Sequence, residues 1–417
     1  MRKRLLILAS ILLCLAWVST SAAADDVKAD AGWDDVGFLK HTSPDGQFEM
    51  RLDVRMYMDA AYFLENKNEM RNGTTLRRGR LAVKTKMWEK WEAEFDMDIA
   101  DNVVEAKDMW VSYQTCEKGF IKAGHFKIPF SLEELTSSRL ITFMERAYPN
   151  VFPPGRRSAL GVTRWFSKAH FSAAVYGQEF GDKESDRVSE GMGLAARGTF
   201  APILDDEKAI HLGAGIVYQT PDDESETLEY KIEPEAKTGD TEFCNTGDIK
   251  DVDYFTLMGI EGAASYKNMY VQGEFIQNDI TRLDDAEDLS FYGGYVFAGF
   301  ILTGEHRPYI VKEGEFGKII PKNKKRGALE LAVRYSHINL SDYEIIGDPD
   351  LGTESIKGVQ GGKANNFTVG LNWYANPNVK LIANYIYVDN SINAGVKGGL
   401  EGDDDFGIIQ TRILVNF

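Results

Sequence analysis

Apolar and polar side chains alternate along much of the chain. In the segment 48–62 every second residue, from Phe48 to Tyr62, is apolar, and the residues between them are mostly charged. Because successive side chains of a β-strand point to opposite faces, the segment predicts a strand with one apolar and one charged face. Strands of soluble sheets usually have about 5–6 residues. A longer strand of this kind suits a tilted crossing of a bilayer.

The same period returns in the segments 91–99, 329–336, 367–374 and 379–387. Their apolar faces often end in Tyr, Trp or Phe, as an aromatic girdle at a membrane interface requires. At roughly 25 residues per strand plus connection the chain supplies about sixteen strands, a number that leaves an aqueous channel. We predict an all-β fold, a transmembrane antiparallel β-barrel over residues 44–417. A secreted β-sandwich is the alternative.

Two kinds of connection separate the predicted strands. Some are short polar turns, such as 375–378, and others are long and acidic, at 179–190, 221–251, 341–365 and 390–405. Outer-membrane barrels have short turns in the periplasm and long loops outside. The pattern therefore predicts the cell outer membrane, with its lipid around the barrel.

The ends of the chain also predict export. Residues 1–24 have a basic head, a short apolar core and a small-residue exit, which predict a cleaved signal peptide. Residues 25–43 are interpreted as a periplasmic lead-in rather than a strand. The last strand alternates up to a terminal Phe417, which resembles the signal that barrels present to the outer-membrane assembly machinery. Cys116 and Cys244 remain after processing, and the sequence does not say whether they pair.

Composition excludes some functions and leaves others open. The net charge is −17, so a nucleic-acid partner is not expected. The sequence has neither a G-x-S-x-G elbow nor an H-E-x-x-H metal motif, so we predict no enzyme, no catalytic residues, no cofactor and no metal. The acidic runs 284–285 and 403–405 leave a surface or calcium-binding barrel as a less favoured alternative.

Charges on the inward face of a membrane strand require water beside them. Arg77, Arg78 and Arg80 form the densest basic cluster, and strand alternation puts Arg78 and Arg80 on one face and Arg77 on the other. Because the cluster lies at the end of the strand, all three could nevertheless reach the mouth of the pore. The segment 119–139, which includes Lys127, leaves a strand and loses its period at Pro129. We predict that the chain from there to Pro154 is a structured loop that narrows the pore.

Short motifs spread over nearly the whole mature chain are Leu76-Arg77-Arg78, Phe130-Ser131-Leu132-Glu133 with Thr136-Ser137-Ser138, Phe143-Met144-Glu145-Arg146, Ile301-Leu302-Thr303-Gly304-Glu305 and Gly370-Leu371-Asn372-Trp373-Tyr374-Ala375-Asn376. In these motifs the chain resembles the family of phosphate-selective porins O and P. This resemblance implies a sixteen-stranded barrel, a homotrimer, an inward-folded third loop and passive passage of small anions.

The resemblance also implies which residues line the pore and bind anions. The positions that match the family's basic, acidic and hydroxyl positions, or lie beside them, are Arg55, Arg77, Arg78, Arg80, Asp98, Lys127, Ser137 and Ser138. Glu134 stands where the family has a loop lysine, and the stretch 227–253 is acidic where phosphate-specific members are arginine-rich. Passage of small hydrophilic solutes or ions is therefore predicted, and two selectivities stay open. One is a preference for anions such as phosphate, and the other is a general or cation-preferring pore.

Overall fold

A computed structural model describes residues 39–177, 191–221, 226–239, 241–284, 286–346, 355–391, 393–395 and 399–417. The predicted signal peptide, most of the lead-in and the predicted loop 179–190 lie outside these residues. The strands of the large sheet are β1 (Leu39–Thr42), β2 (Phe48–Leu64), β3 (Gly73–Met87), β4 (Trp91–Asp98), β5 (Glu105–Cys116), β6 (Gly119–Lys127), β7 (Arg156–Trp165), β8 (Ala169–Tyr176), β9 (Gly193–Leu204), β10 (Lys208–Gln219), β13 (Val252–Tyr266), β14 (Met269–Arg282), β15 (Leu289–Ile301), β18 (Ala328–Ile346), β19 (Ser355–Tyr374), β20 (Val379–Asn390) and β21 (Phe406–Asn416). The short pairs are β11 (Lys231–Ile232) with β12 (Cys244–Asn245), and β16 (Tyr309–Ile310) with β17 (Glu315–Phe316).

Sixteen of these strands, β2 to β10, β13 to β15 and β18 to β21, form a closed antiparallel barrel. The last strand β21 pairs with β2 from Arg55↔Asn416 to Leu64↔Gly407, so no sheet edge remains open there. The backbone groups of Phe417 and Val54 complete this seam with two hydrogen bonds of 3.0 and 3.1 Å. Closure of the barrel pairs the backbone N–H and C=O groups that lipid could not hydrogen-bond. The predicted fold class is confirmed.

The lead-in needs one correction at its end. Leu39–Thr42 is not outside the sheet but forms β1, which pairs with β2 from Leu39↔Leu52 to Thr42↔Glu49. It occupies the edge of β2 just beyond the point where β21 ends. The unpaired N–H and C=O groups of that edge explain the added strand.

The faces of the strands follow the predicted alternation. On β2, Met56, Met58 and Tyr62 are exposed, whereas Arg55, Tyr57 and Asp59 between them are buried. Tyr62 is 56 % exposed and Tyr57 is 0 % exposed. The apolar side chains are thus the exposed ones, the reverse of a soluble protein. In a barrel this means that apolar side chains face the lipid and polar ones face the interior. The interior is therefore where chemistry is found.

The connections also separate by length, with one correction. The turns at one end are as short as two residues, at 117–118 and 267–268, and this end is periplasmic by the usual rule. The predicted loop 341–365 is wrong for most of its length. Ser341 to Ile346 belong to β18, and Ser355 to Asn365 belong to β19, with register pairs running to Ile346↔Ser355. Pairing continues beyond the apolar band, where alternation of hydrophobicity no longer marks a strand.

In the described part of the chain, two connections both enter the barrel and line its open space. The third loop, residues 128–155, holds a one-turn helix at Leu132–Leu135 and a 3-10 turn at Tyr148–Val151. The inner turn, residues 302–327, lies at the periplasmic end, where long connections are not usual, and contains β16 and β17. Arg307 of the inner turn donates to the third loop, to Leu140 O at 2.8 Å and Thr142 Oγ1 at 3.2 Å. The two segments therefore meet inside the barrel.

The third loop fills one side of the interior. Its Phe130, Tyr148 and Phe152 join a buried apolar cluster with wall residues that include Phe255 and Phe291. Polar contacts fix it further: Tyr148 donates to Asn366 Oδ1 at 3.1 Å, and Lys380 Nζ to Ile141 O at 3.0 Å. The open space is consequently displaced toward the opposite wall, β2 to β8.

In the described part of the chain no helix is both long enough and apolar enough to cross a membrane. Cys116 and Cys244 are both free thiols.

Candidate functional site

The open space inside the barrel is a cavity of about 660 Å³, called the channel below. Strands β2 to β8 line it on one side, and the third loop and the inner turn line it on the other. Twelve Lys and Arg residues line the channel against six Asp and Glu residues. The lining is therefore basic although the whole chain is acidic, with a net charge of −17.

Some of the basic lining residues are held in ion pairs with the wall. The pairs are Arg80 with Asp96 and Asp98, both at 3.2 Å, Lys84 with Glu94 at 3.0 Å, and Arg156 with Asp108 at 2.6 Å. The carboxylate oxygens of Glu94, Asp96 and Asp108 lie within 4.8 Å of one another, a spacing that a cation could use. Each already has a basic partner, which supplies the compensating charge.

Two arginines of the lining differ from these. Arg55 on β2 and Arg78 on β3 line the channel, and within the described residues neither has a carboxylate oxygen within 4.0 Å. Arg55 is buried, at 7 % exposure, and its register partner is Arg80. Because Arg55 and Arg78 have no acidic partner in this range, this part of the wall is a source of positive potential.

Arg77 lies inside the barrel, contrary to simple alternation. The pairing of β2 with β3 skips it, since Tyr57 is opposite Arg78 and Met58 is opposite Leu76. Such a β-bulge re-aims the extra side chain. Arg77 then donates to both carboxylate oxygens of Glu145 in the third loop, at 2.8 and 2.9 Å. Its charge anchors the loop and it does not line the channel.

Glu134 is turned away from the channel. It is 7 % exposed, and its carboxylate lies 3.3 Å from Lys127 Nζ and 3.6 Å from Arg146 Nε. Asn150 donates to it at 3.1 Å. Burial alone would raise the pKa of the Glu134 carboxyl, but Arg146 and Lys127 lower that pKa to about 2. The carboxylate is therefore ionised at neutral pH and neutralised by its two partners.

Some of the other residues singled out from the sequence line the channel, and one does not. Lys127, Ser137 and Ser138 line the channel, and Ser138 Oγ lies 3.3 Å from the Tyr57 hydroxyl. Asp98 does not line it: its carboxylate accepts hydrogen bonds from the backbone N–H groups of Gly79 and Ala100 at 3.0 and 3.1 Å. Asp98 thus stabilises the turn after β4.

Sequence reasoning missed several lining residues. Phe120 and Lys122 lie in the segment 119–139 and Trp110 lies outside the predicted strands, and none of the three carried a family motif. Lys312 comes from the inner turn, where a sequence signal for entry into the barrel is lacking. The alternation of β5 and β6 alone would have indicated that Trp110, Phe120 and Lys122 face inward.

The acidic loops are partly used for internal contacts. Glu235 in the acidic stretch 227–253 pairs with Arg334 at 2.5 Å. Asp404 is fully buried and accepts hydrogen bonds from the backbone N–H groups of Lys67 and Asn68 at 2.8 and 2.9 Å. Glu235 thus joins its loop to the barrel wall, since Arg334 lies on β18, and Asp404 joins two neighbouring loops. Both contacts reduce the number of carboxylates available to a cation at the surface.

The chain is similar to known proteins along most of its length. Residues 48–417 match the family model for phosphate-selective porin O and P. Porin O of Pseudomonas aeruginosa is 27 % identical over 444 aligned residues, which cover 96 % of this chain and 96 % of the relative. An uncharacterized protein of Caulobacter vibrioides is 26 % identical over 401 residues, covering 89 % of this chain and 74 % of the relative.

Solved structures share the fold at low identity. The anion-selective porin from Comamonas acidovorans has a TM-score of 0.53 at 13 % identity, covering 89 % of this chain and 100 % of its own. Outer-membrane expressed OmpT of Vibrio cholerae has a TM-score of 0.54 at 9 % identity, covering 90 % and 100 %. The closed barrel and the family match, which spans most of the sequence, agree with each other. The chain belongs to the family of phosphate-selective porins O and P, and it is a porin of the outer membrane.

Proposed function

We propose that this porin lets small anions pass in preference to cations, and that Arg55 and Arg78 provide the preference. The observation that carries the proposal is that these two channel-lining guanidinium groups have no carboxylate in ion-pair range among the described residues. An ion pair presents little net charge to a passing solute, whereas an unpaired arginine presents a full one. Membership of a porin family supports a channel rather than an enzyme.

Hydroxyl groups support the same function. Ser137 and Ser138 of the third loop line the channel together with the two arginines. A hydroxyl can donate a hydrogen bond to an anion that has lost part of its hydration shell. Phosphate, with its several acceptor oxygens, is the anion to which an arginine and hydroxyl set is best suited. The match to the family model for phosphate-selective porin O and P supports this choice.

The acidic residues weaken the preference less than their number suggests. Glu134 is neutralised by Lys127 and Arg146. In the inner turn burial raises the pKa of Glu315 to about 8, assisted by the nearby Glu313, so this carboxyl is mostly protonated at neutral pH. Charges on outer loops are screened over about 8 Å at physiological ionic strength. The competing function, a general or cation-preferring porin, requires the acidic loops to outweigh Arg55 and Arg78.

Assembly and partners belong to the same proposal. We expect residues 1–24 to be removed on export, and the terminal Phe417 to be recognised by the outer-membrane assembly machinery. We also expect a homotrimer in the membrane. An OmpT of Vibrio cholerae with a similar fold is described in a trimer form, which supports the oligomer by analogy.

The test is a phosphate titration of single channels in a planar bilayer. We expect inorganic phosphate to reduce the chloride current of the natural protein, and R55Q and R78Q each to weaken this block about tenfold or more, because a hydrogen bond to a charged group is lost. R164Q is the control, since Arg164 lies on β7 outside the channel lining. Equal block in R55Q, R78Q and R164Q would remove the basis of the proposal.

A further inference from the structure

An aromatic cluster around one lysine lies in the periplasmic half of the channel. It consists of Trp110 on β5 and of Phe120, Lys122 and Phe126 on β6, and all four line the channel. The Lys122 Nζ lies 3.9 Å from the Trp110 ring centroid, 5.3 Å from that of Phe120 and 5.4 Å from that of Phe126. These four residues are called the aromatic station below.

The charge of Lys122 is held by rings instead of by an acid. Among the described residues no carboxylate oxygen lies within 4.0 Å of its Nζ, and no hydrogen bond from it is seen. A cation over an aromatic face is stabilised without being neutralised, because the ring contributes only a quadrupole. The Lys122 amine is therefore open to pairing with an anionic solute, unlike the paired Lys84 and Arg156.

The wall beside the aromatic station leaves room for a solute. Gly161 on β7, the register partner of Lys122, makes the space that the Phe126 ring occupies, since a Cβ at this position would come within 3.1 Å of that ring. The neighbouring channel-lining positions hold small hydroxyl residues, Ser112, Thr163 and Ser172. Small side chains on the strands next to bulky rings produce a recess, whose floor is apolar and whose rim can donate hydrogen bonds.

We infer that the aromatic station is a second binding site of the channel, selective for anions that carry an aromatic ring. The anionic group of such a solute pairs with the Lys122 ammonium. Its ring packs against Trp110, the aromatic ring nearest to the Lys122 Nζ, in an offset or edge-on geometry. A simple anion such as phosphate or acetate uses only the lysine. The inference deepens the proposed function and rests on it, because the solute must first pass Arg55 and Arg78.

A comparison of two matched anions, benzoate and acetate, tests the inference. Benzoate and acetate carry the same carboxylate, and only benzoate carries a ring. In planar bilayers containing the full-length protein in KCl, we expect benzoate to reduce single-channel current at a concentration about 2- to 10-fold lower than acetate, as one additional ring–ring contact provides. Equal effects of benzoate and acetate on the natural protein would overturn the inference.

Two variants separate the ring from the charge. In W110L we expect the benzoate concentration that reduces the current to rise close to the acetate concentration, and the effect of acetate to stay unchanged. In K122Q we expect both benzoate and acetate to reduce the current less. F171L is the control, since Phe171 on β8 is 47 % exposed on the lipid-facing side of the barrel. Discrete conductance steps in KCl show for each variant that the barrel has folded. A W110L channel that still distinguishes benzoate from acetate as the natural protein does would also overturn the inference.

An experiment can distinguish the absence of this binding site from the absence of anion preference. If the channel prefers cations, its reversal potential under a KCl gradient has the sign of potassium, whichever organic anion is added. If the channel prefers anions but lacks the aromatic station, the reversal potential has the sign of chloride and benzoate acts like acetate. The two measurements are made on the same membrane.

Discussion

Arginines inside this barrel serve two purposes at the scale of single residues. Arg77 and Arg412 both pair with carboxylates: Arg77 contacts Glu145, and Arg412 contacts Asp59 at 2.7 Å and Glu145 at 2.6 Å. Arg55 and Arg78 lack such partners among the described residues and line the channel. Paired arginines hold the loop that shapes the channel, and unpaired arginines give it charge. We therefore propose that selectivity depends on the unpaired charges and not on the composition of the chain.

The sequence could identify which residues belong to the basic cluster but not how each is used. Alternation correctly assigns Arg78 and Arg80 to one face. It fails for Arg77 because a bulge in the β2–β3 pairing turns this residue inward, and a bulge leaves no periodic signal. Likewise, the sequence shows Glu134 in place of a lysine, but its pairing with Lys127 and Arg146 depends on the fold of the whole loop.

Glu315 predicts a pH dependence at this scale. Its pKa is raised to about 8, so the carboxyl is neutral below that pH and becomes charged above it. Between about pH 7 and about pH 9 we expect the preference for anions to decline, because a negative charge appears in the channel lining. The reversal potential under a salt gradient, measured across this pH range, checks the prediction.

The variant E315Q is the comparison, because its side chain cannot ionise. Its reversal potential should stay level where that of the natural protein changes. By linkage, the stability that protonated Glu315 contributes is fully present below the ordinary pKa of about 4.5 and is lost as the pH rises through about 8. A change of the same size in E315Q would assign the pH dependence to another group.

At the scale of elements, the third loop is the part that shapes the channel. It is fixed on several sides, by the apolar cluster around Phe130 and Tyr148 and by Glu145 between Arg77 and Arg412. Ser131 and the backbone N–H of Glu133 both donate to Glu274 on β14, at 2.6 and 2.7 Å. A loop with so many anchors keeps Ser137 and Ser138 in place without regular secondary structure.

The variant E145Q tests the anchoring of this loop. Arg77 loses its anionic partner, whereas Arg412 keeps Asp59. The loop loses up to about 3 kcal/mol of attachment, because the Arg77 charge remains behind unpaired. We expect current noise in single channels to rise and protease cleavage within 128–155 to become faster. E117Q, at an exposed turn, is the matched control. Quiet E145Q channels with the natural protease resistance would show that the loop does not depend on Glu145.

The inner turn is the second element inside the barrel. Arg197 donates to Gly314 O at 2.9 Å, the Tyr309 hydroxyl lies 2.8 Å from His211 Nδ1, and His170 Nδ1 lies 2.8 Å from Lys312 O. The predicted pattern of connections did not include it, since short turns are the rule at the periplasmic end. Hydrophobic alternation says where strands run, but it does not say which way a connection folds.

Replacing residues 309–316 with a short Gly-Ser linker tests the role of the inner turn. The lining residues Lys312, Glu313 and Glu315 are then removed, and the lumen widens on the periplasmic side. We expect single-channel conductance to rise about twofold or more. Unchanged conductance would mean that the narrowest part of the channel lies wholly at the third loop.

At the scale of the whole molecule, an acidic protein contains a basic channel. The strand period predicted the closed barrel, because lipid outside and water inside impose opposite demands on alternate residues. The channel position was not predictable, since it depends on which wall the third loop and the inner turn cover. Their packing leaves the space beside β2 to β8, where twelve basic and six acidic residues meet the solute.

The reversal potential of the natural protein in a planar bilayer under a KCl gradient tests most directly whether Arg55 and Arg78 set the selectivity. If they do, the potential has the sign of a chloride-permeable membrane at neutral pH, and it moves toward zero in the double variant R55Q/R78Q. A potential with the sign of potassium in the natural protein would mean that the acidic loops dominate, and it would contradict the assignment of selectivity to these two arginines.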